Sequence, residues 1–207
     1  MHCSPEFIRL AQFIVIPAVV AFAAALEEPA ARQYFTFSAD IRRPLGGDYE
    51  AYYGGRVWLE VLTEPHHAAG MSFSSGVLRL EPGSVADELA RNPWMLDFGL
   101  FYRFYLTRPN TFLRPYATAS LNMGTLYWAY REDLEADDTT YSYDWLAFGD
   151  AALGAGLVVN VSKDFHLYGE ASFGGMSFAN TTHYDFKNEL FDDFGYVDFK
   201  AGLGFTF

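Results

Sequence analysis

The sequence predicts an all-β chain, an eight-stranded antiparallel up-and-down barrel that crosses a membrane with its strands. Three observations carry this reading. Apolar residues recur at every second position over many segments, the period of an extended strand with two unlike faces. The connections between those segments alternate between short and long, as in a meander whose two ends differ. The more polar face is built of small residues and of charges that balance. A sheet wetted on that face would carry Lys, Glu and Thr freely.

The composition fits such a chain. Of the 207 residues 18% are aromatic, with 20 Phe and 14 Tyr, yet the mean hydropathy is neutral. Apolar and polar residues are therefore interleaved, and the length suffices for one domain with a sizeable interior. A net charge of −12 argues against nucleic acid as a partner, because phosphate binding needs a basic face. The lone cysteine, Cys3, excludes an internal disulfide and a cysteine-based zinc site. No motif requires a cofactor.

At the N-terminus, "FIVIPAVVAFAAAL" (13–26) is an apolar run of signal-peptide length, too short for a spanning helix of about 20 residues. Small residues follow at Ala21-Phe22-Ala23 and Ala23-Ala24-Ala25, where a peptidase needs them. The expectation is a signal peptide over 1–25, cleaved after Ala23 or Ala25, and a barrel over 26–207. A retained N-terminal anchor is the competing reading, since Glu6 offsets Arg9 in the leading segment. Cys3 precedes the run and is misplaced for lipoprotein processing.

The strands follow in order. "YFTFSADIR" (34–42) sets Phe35, Phe37, Ala39 and Ile41 against Thr36, Ser38, Asp40 and Arg42. "GRVWLEVL" (55–62) sets Val57, Leu59 and Val61 against Arg56, Trp58 and Glu60. A third strand at about 71–80 loses phase near Ser74-Ser75, which points to a β-bulge. In "MLDFGLFYRFYL" (95–106) Leu96, Phe98, Leu100, Tyr102, Phe104 and Leu106 oppose Asp97, Gly99 and Arg103. In 112–128, Leu113, Ala117, Ala119, Leu121 and Met123 oppose Arg114, Tyr116, Thr118, Ser120 and Asn122. The sixth strand sets Leu153, Ala155, Leu157, Val159 and Val161 against Gly154, Gly156 and Asn160. The seventh sets Phe165, Leu167, Ala171 and Phe173 against Tyr168, Glu170, Ser172 and Gly174. The eighth, "YVDFKAGLGFTF" (196–207), sets Val197, Phe199, Ala201, Leu203, Phe205 and Phe207 against Asp198, Lys200, Gly202 and Gly204.

Short joints ("TEPHHAAG", "TRPNT", "SKD") alternate with long ones ("RPLGGDYEAYYG", "EPGSVADELARNPW", "REDLEADDTTYSYDWLA", "NTTHYDFKNELFDDFG"). Lipid leaves no backbone group unpaired, so a spanning sheet must close on itself with its apolar face outward. The inward face then carries Asp40, Glu60, Asp97, Glu170 and Asp198 against Arg42, Arg56, Arg103, Arg114 and Lys200, a lumenal network in which buried charges neutralise one another. The excess negative charge falls on long loops such as "EDLEADD" (132–138). Trp94, Phe112, Tyr127, Trp128 and Trp145 near strand ends are expected in aromatic girdles at the interfaces. Closure pairs the first strand with the eighth. A register whose residue numbers sum to 240 sets Asp198 opposite Arg42 and Lys200 opposite Asp40.

The chain ending resembles the C-terminal assembly signal of bacterial outer-membrane proteins, with Phe207, Phe205, Leu203, Ala201 and Phe199 at alternate positions. With the strand count and loop asymmetry, the mature chain resembles the small eight-stranded outer-membrane barrels of the OmpA, OmpX and opacity type. The resemblance implies a bacterial outer-membrane location and contact with membrane lipid and lipopolysaccharide. It also implies delivery by periplasmic chaperones to the barrel-assembly machinery, and a monomer.

Eight strands leave an interior that side chains fill, or that holds at most one small ligand. The expected role is structural or surface-interacting, adhesin-like, exerted through long acidic and aromatic-rich external loops, with "YSYDWLAF" (141–148) a candidate contact segment. The alternatives are a narrow barrel for a small solute and a lipid A-modifying enzyme. Barrel deacylases, by the same resemblance, place a Ser two residues after a late-strand His. Here "HYDFKN" (183–188) has Asp185 after His183, so no catalytic residue is assigned. His66 and His67 are adjacent in an extended turn and point apart, which disfavours a metal. "EDLEADD" lacks the glycine and spacing of a calcium loop.

Overall fold

The computed structural model describes residues 32–136, 139–179 and 193–206. The signal-peptide segment, His183, Asp185 and Phe207 lie outside the described residues. Eight strands close into a barrel in sequence order: β1 (Arg32–Pro44), β2 (Tyr49–Glu64), β3 (His67–Leu80), β4 (Ala90–Tyr105), β5 (Leu113–Ala136), β6 (Thr139–Asn160), β7 (Phe165–Phe178) and β8 (Phe194–Thr206). Every neighbouring pair is antiparallel. A five-residue helix, α1 (Val85–Leu89), sits in the β3–β4 connection. Ser84 caps it by accepting from the Asp87 N–H, which meets one orphan donor of the first turn.

The apolar set does face outward. Phe37, Ile41, Phe73, Phe98, Met123, Leu153, Phe173 and Phe199 are all exposed, whereas Asp40, Arg42, Arg56, Asp97, Arg103 and Arg114 are buried. An outer wall of apolar side chains around a charged interior is stable only in lipid. Closure also removes the sheet edges that would otherwise pair with other chains. Val61 departs from this pattern, being buried although alternation assigns it to the outer set.

Three expectations are corrected. Ser74 and Ser75 pair regularly with Arg56 and Gly55 on one side and with Asp97 and Leu96 on the other. No bulge lies there; the register shifts of the β2–β3 pair fall at Tyr49/Ala51 and Leu62/Glu64. The apparent loss of phase arises because the inward positions Leu78 and Leu80 are apolar and buried. Strands are also longer than the 9–11 residues a crossing requires. β5 and β6 run 24 and 22 residues and absorb most of the "REDLEADDTTYSYDWLA" joint. Finally, the β1–β2 connection shrinks to residues 45–48, where Gly47 takes a φ of 78°, a left-handed conformation open to glycine.

β4 pairs with β5 as far as Tyr130, and β7 pairs with β6 as far as Phe148. Beyond those points β5 and β6 pair only with each other, through Ala136↔Thr139. The hairpin therefore stands above the barrel rim by about 20 Å at the usual rise of about 3.3 Å per residue. Both described chain ends lie at the opposite rim, with the short joints 65–66, 106–112 and 161–164. In an outer-membrane barrel the rim with the hairpin and α1 would be the external one and the rim with the short joints the periplasmic one.

Candidate functional site

The lumen is where the described buried charged side chains converge. Inward glycines shape it by seating aromatic rings from the neighbouring strand. Tyr116 lies directly opposite Gly156 and Tyr168 opposite Gly202. A Cβ at Gly156 would collide with the Tyr116 ring, and one at Gly202 with the Phe37 carbonyl oxygen. The small residues of the inner face thus make room for rings folded flat across the wall.

Those rings form two clusters. The external half holds Tyr49, Tyr52, Leu78, Met95, Leu126, Trp128, Leu146, Phe148, Met176, Phe194 and Tyr196. The periplasmic half holds Tyr34, Trp58, Leu62, Phe101, Tyr105, Tyr116, Val158 and Tyr168. The interior is therefore a charged layer between two largely aromatic plugs, more apolar than the sequence expectation of a polar lumen. The reason is that the inward positions are polar at mid-strand and become apolar or aromatic toward both ends.

Each cation but one meets two acids. Arg56 Nε lies 2.9 Å from Asp40 and its Nη2 3.6 Å from Asp97. Arg103 reaches Glu60 at 2.5 Å and Glu170 at 3.0 Å, with its guanidinium 4.0 Å from the centre of the Trp58 ring. Lys200 Nζ reaches Glu170 at 2.6 Å and Asp198 at 3.4 Å. Arg42 lies 3.4 Å from Asp150 and 3.9 Å from Asp198, and 4.2 Å from the Tyr196 ring centre. Hydroxyls complete the acids: Tyr105 donates to Glu60, Tyr116 to Glu170 and Tyr196 to Asp150. Arg114 is the exception. It donates to the Tyr34 hydroxyl at 3.2 Å and lies 3.8 Å from the Tyr105 ring centre, with no described carboxylate in ion-pair range.

The closing register is the one with residue numbers summing to 240, with Asp40↔Lys200 and Arg42↔Asp198. The ion pairs only partly follow it. Lys200 is also directly opposite Glu170 on β7 and bonds there, which leaves Asp40 to Arg56. Asp150 was missed by sequence reading although it is completely buried, accepting from Asn122 at 2.6 Å as well as from Tyr196. Extending the alternation of the sixth strand two residues before Ala152 would have found it. His166, also buried and facing Thr36, shares the phase of Tyr168 and Glu170 and was legible the same way.

On the outer wall Trp94, Tyr127 and Trp145 pair across β4, β5 and β6 in one row and are 50%, 46% and 54% exposed. Phe112 is 64% exposed near the other rim. Trp128 is a correction, because it is wholly buried in the external lumenal cluster. Its even number places it on the inner face with Arg114 and Asn122, so strand phase overrides the preference of Trp for interfaces. Phe199, Ala201, Leu203 and Phe205 are exposed along β8. His66 bonds the Tyr105 carbonyl and His67 the Tyr102 hydroxyl. Among the described residues no group of three or more His, Cys, Asp or Glu could hold a metal. The side chains of 130–144, which include all of "EDLEADD" and "YSYD", lie outside the described residues.

A closed eight-stranded barrel with a lipid-compatible wall and a packed, ion-paired interior defines a membrane-spanning β-barrel protein. The architecture is similar to that of known barrels. Neisserial surface protein A matches with a TM-score of 0.59 at 11% identity, over 86% of this chain and 97% of that one. A major outer membrane protein from Thermus thermophilus matches with 0.59 at 7% identity, over 86% and 100%. Ail, the attachment invasion locus protein of Yersinia pestis, matches with 0.50 at 14% identity, over 86% and 97%. At these identities the shared property is the fold. No family model matches the sequence, and no curated protein matches it.

Proposed function

We propose that the protein is a bacterial outer-membrane barrel with a closed lumen, acting at the cell surface as a structural and interaction element through its external loops. The filled lumen carries this reading. The cavities at the level of the charges measure about 10 Å³ each, room for about one water, between two aromatic plugs. With the interior packed, the parts able to meet a partner are the external connections and the β5–β6 hairpin above the rim. The row Trp94, Tyr127 and Trp145, with Phe112 toward the periplasm, acts as interfacial girdle against lipid and lipopolysaccharide. Phe199, Ala201, Leu203, Phe205 and Phe207 act as the signal read by the assembly machinery after chaperone delivery. Cleavage follows Ala23 or Ala25.

The test has two arms. Purified protein in planar bilayers should show no stable single-channel steps; steady conductance would return the small-solute reading. Cells displaying the barrel with 131–144 replaced by a short turn should keep folded, heat-modifiable protein and lose adhesion to host cells. Unchanged adhesion would remove the hairpin from the role.

A further inference from the structure

We propose that the periplasmic half of the lumen contains a binding site for a monatomic anion such as chloride, held by Arg114 and His166. The starting observation is charge. Arg114, Arg103 and Lys200 share the periplasmic half with Glu60 and Glu170, and both acids are already engaged. Glu60 accepts from Arg103 and Tyr105, and Glu170 from Arg103, Tyr116 and Lys200. Lys200 reaches Asp198 as well, so the cation without any described carboxylate in ion-pair range is Arg114, which is completely buried. A buried cation without a counter-charge is strongly unfavourable. The Tyr105 ring compensates part of it.

The second observation is the hydrogen-bonding character of the cavity beside it. Arg114, His166, Thr36, Tyr34 and Glu60 line one cavity of about 10 Å³. Three of the residues that line it carry buried nitrogens without described hydrogen-bond partners: Arg114 Nε and Nη2, Arg103 Nε and His166 Nδ1. Three of these four are obligate donors. In the tautomer whose Nε2 accepts from Thr36, 3.3 Å away, His166 Nδ1 carries a proton and becomes the fourth. A water has two lone pairs for these donors and no charge to set against Arg114. An anion accepts from every donor that reaches it and gives Arg114 the counter-charge it lacks. The cavity admits an occupant of about one water's size, which favours a single atom over sulfate or phosphate.

The test is the unfolding of the folded barrel in lipid vesicles at constant ionic strength, with chloride replaced stepwise by gluconate. An anion bound only by the folded state shifts the equilibrium by the factor 1 + [L]/Kd, about elevenfold at ten times Kd. The wild type should therefore gain stability with chloride, and Arg114→Gln should show no such dependence. Should the variant fail to fold, bromide-soaked crystals of the wild type decide. An anomalous peak within hydrogen-bond distance of Arg114 supports the site. Equal stability of the wild type in chloride and gluconate, chloride dependence that survives Arg114→Gln, or ordered water alone in the cavity would each overturn it.

Discussion

The external and periplasmic halves of the lumen are built from the same materials but balance their charges in opposite ways. In the external half Arg42 stands between Asp150 and Asp198, one cation to two acids. Near mid-lumen Arg56 likewise faces Asp40 and Asp97. In the periplasmic half Arg103, Arg114 and Lys200 stand around Glu60 and Glu170, Lys200 also reaching Asp198, and Arg114 alone has no described acid in ion-pair range. The difference teaches how a narrow barrel tolerates imperfect neutralisation. Surplus acids are met by hydroxyl and amide donors, as Asp150 is by Tyr196 and Asn122. A surplus cation is met by aromatic faces, as Arg114 is by Tyr105.

The comparison predicts the largest loss where one cation serves two acids and several rings. Arg103→Met leaves Glu60 without a described cation, takes one of two from Glu170 and removes the contacts with Trp58, Phe101 and Tyr116. It should destabilise the barrel by about 3–5 kcal/mol in urea unfolding from lipid vesicles. Adding Glu60→Gln should return part of that loss. If the two changes are strictly additive, the pair is not coupled. Asp150→Asn in the external half should cost less, about 1–3 kcal/mol, since Arg42 keeps Asp198. A loss equal to that of Arg103→Met would erase the distinction between the halves.

A smaller effect is expected at the leftover cation. Arg114→Met breaks no ion pair among the described residues, so at low chloride it should change stability by only about 1 kcal/mol, the scale of the ring contact it loses. A loss as large as that of Arg103→Met would mean that a counter-charge of the protein reaches Arg114. The last prediction involves no stability change. Of the four tryptophans, Trp58 and Trp128 are buried while Trp94 and Trp145 are half exposed. In single-tryptophan proteins, brominated lipid should quench Trp94 and Trp145 and leave Trp58 and Trp128 bright. Quenching at Trp128 would return it to the girdle.

Much of this architecture was legible along the chain because alternation is a local property. Whether Arg114 or Leu113 faces the lumen depends only on strand phase, so strand number, sidedness and most lumenal charges follow from residue order. The closing register was also readable, since shifting it by two residues would set Lys200 against Arg42. What residue order left open was choice among several neighbours. A lumenal side chain on β8 has a cross-strand partner on both sides, and Lys200 faces Asp40 on β1 and Glu170 on β7. Which one it bonds depends on where Arg56 and Arg103 have already placed their donors. Trp128 and Asp150 show the same limit at strand ends: length and phase there are set by pairing with neighbours distant in sequence. Only the closed barrel brings β1, β5 and β7 together around one cavity, and so leaves Arg114 near His166 with rings for company and no described acid in ion-pair range.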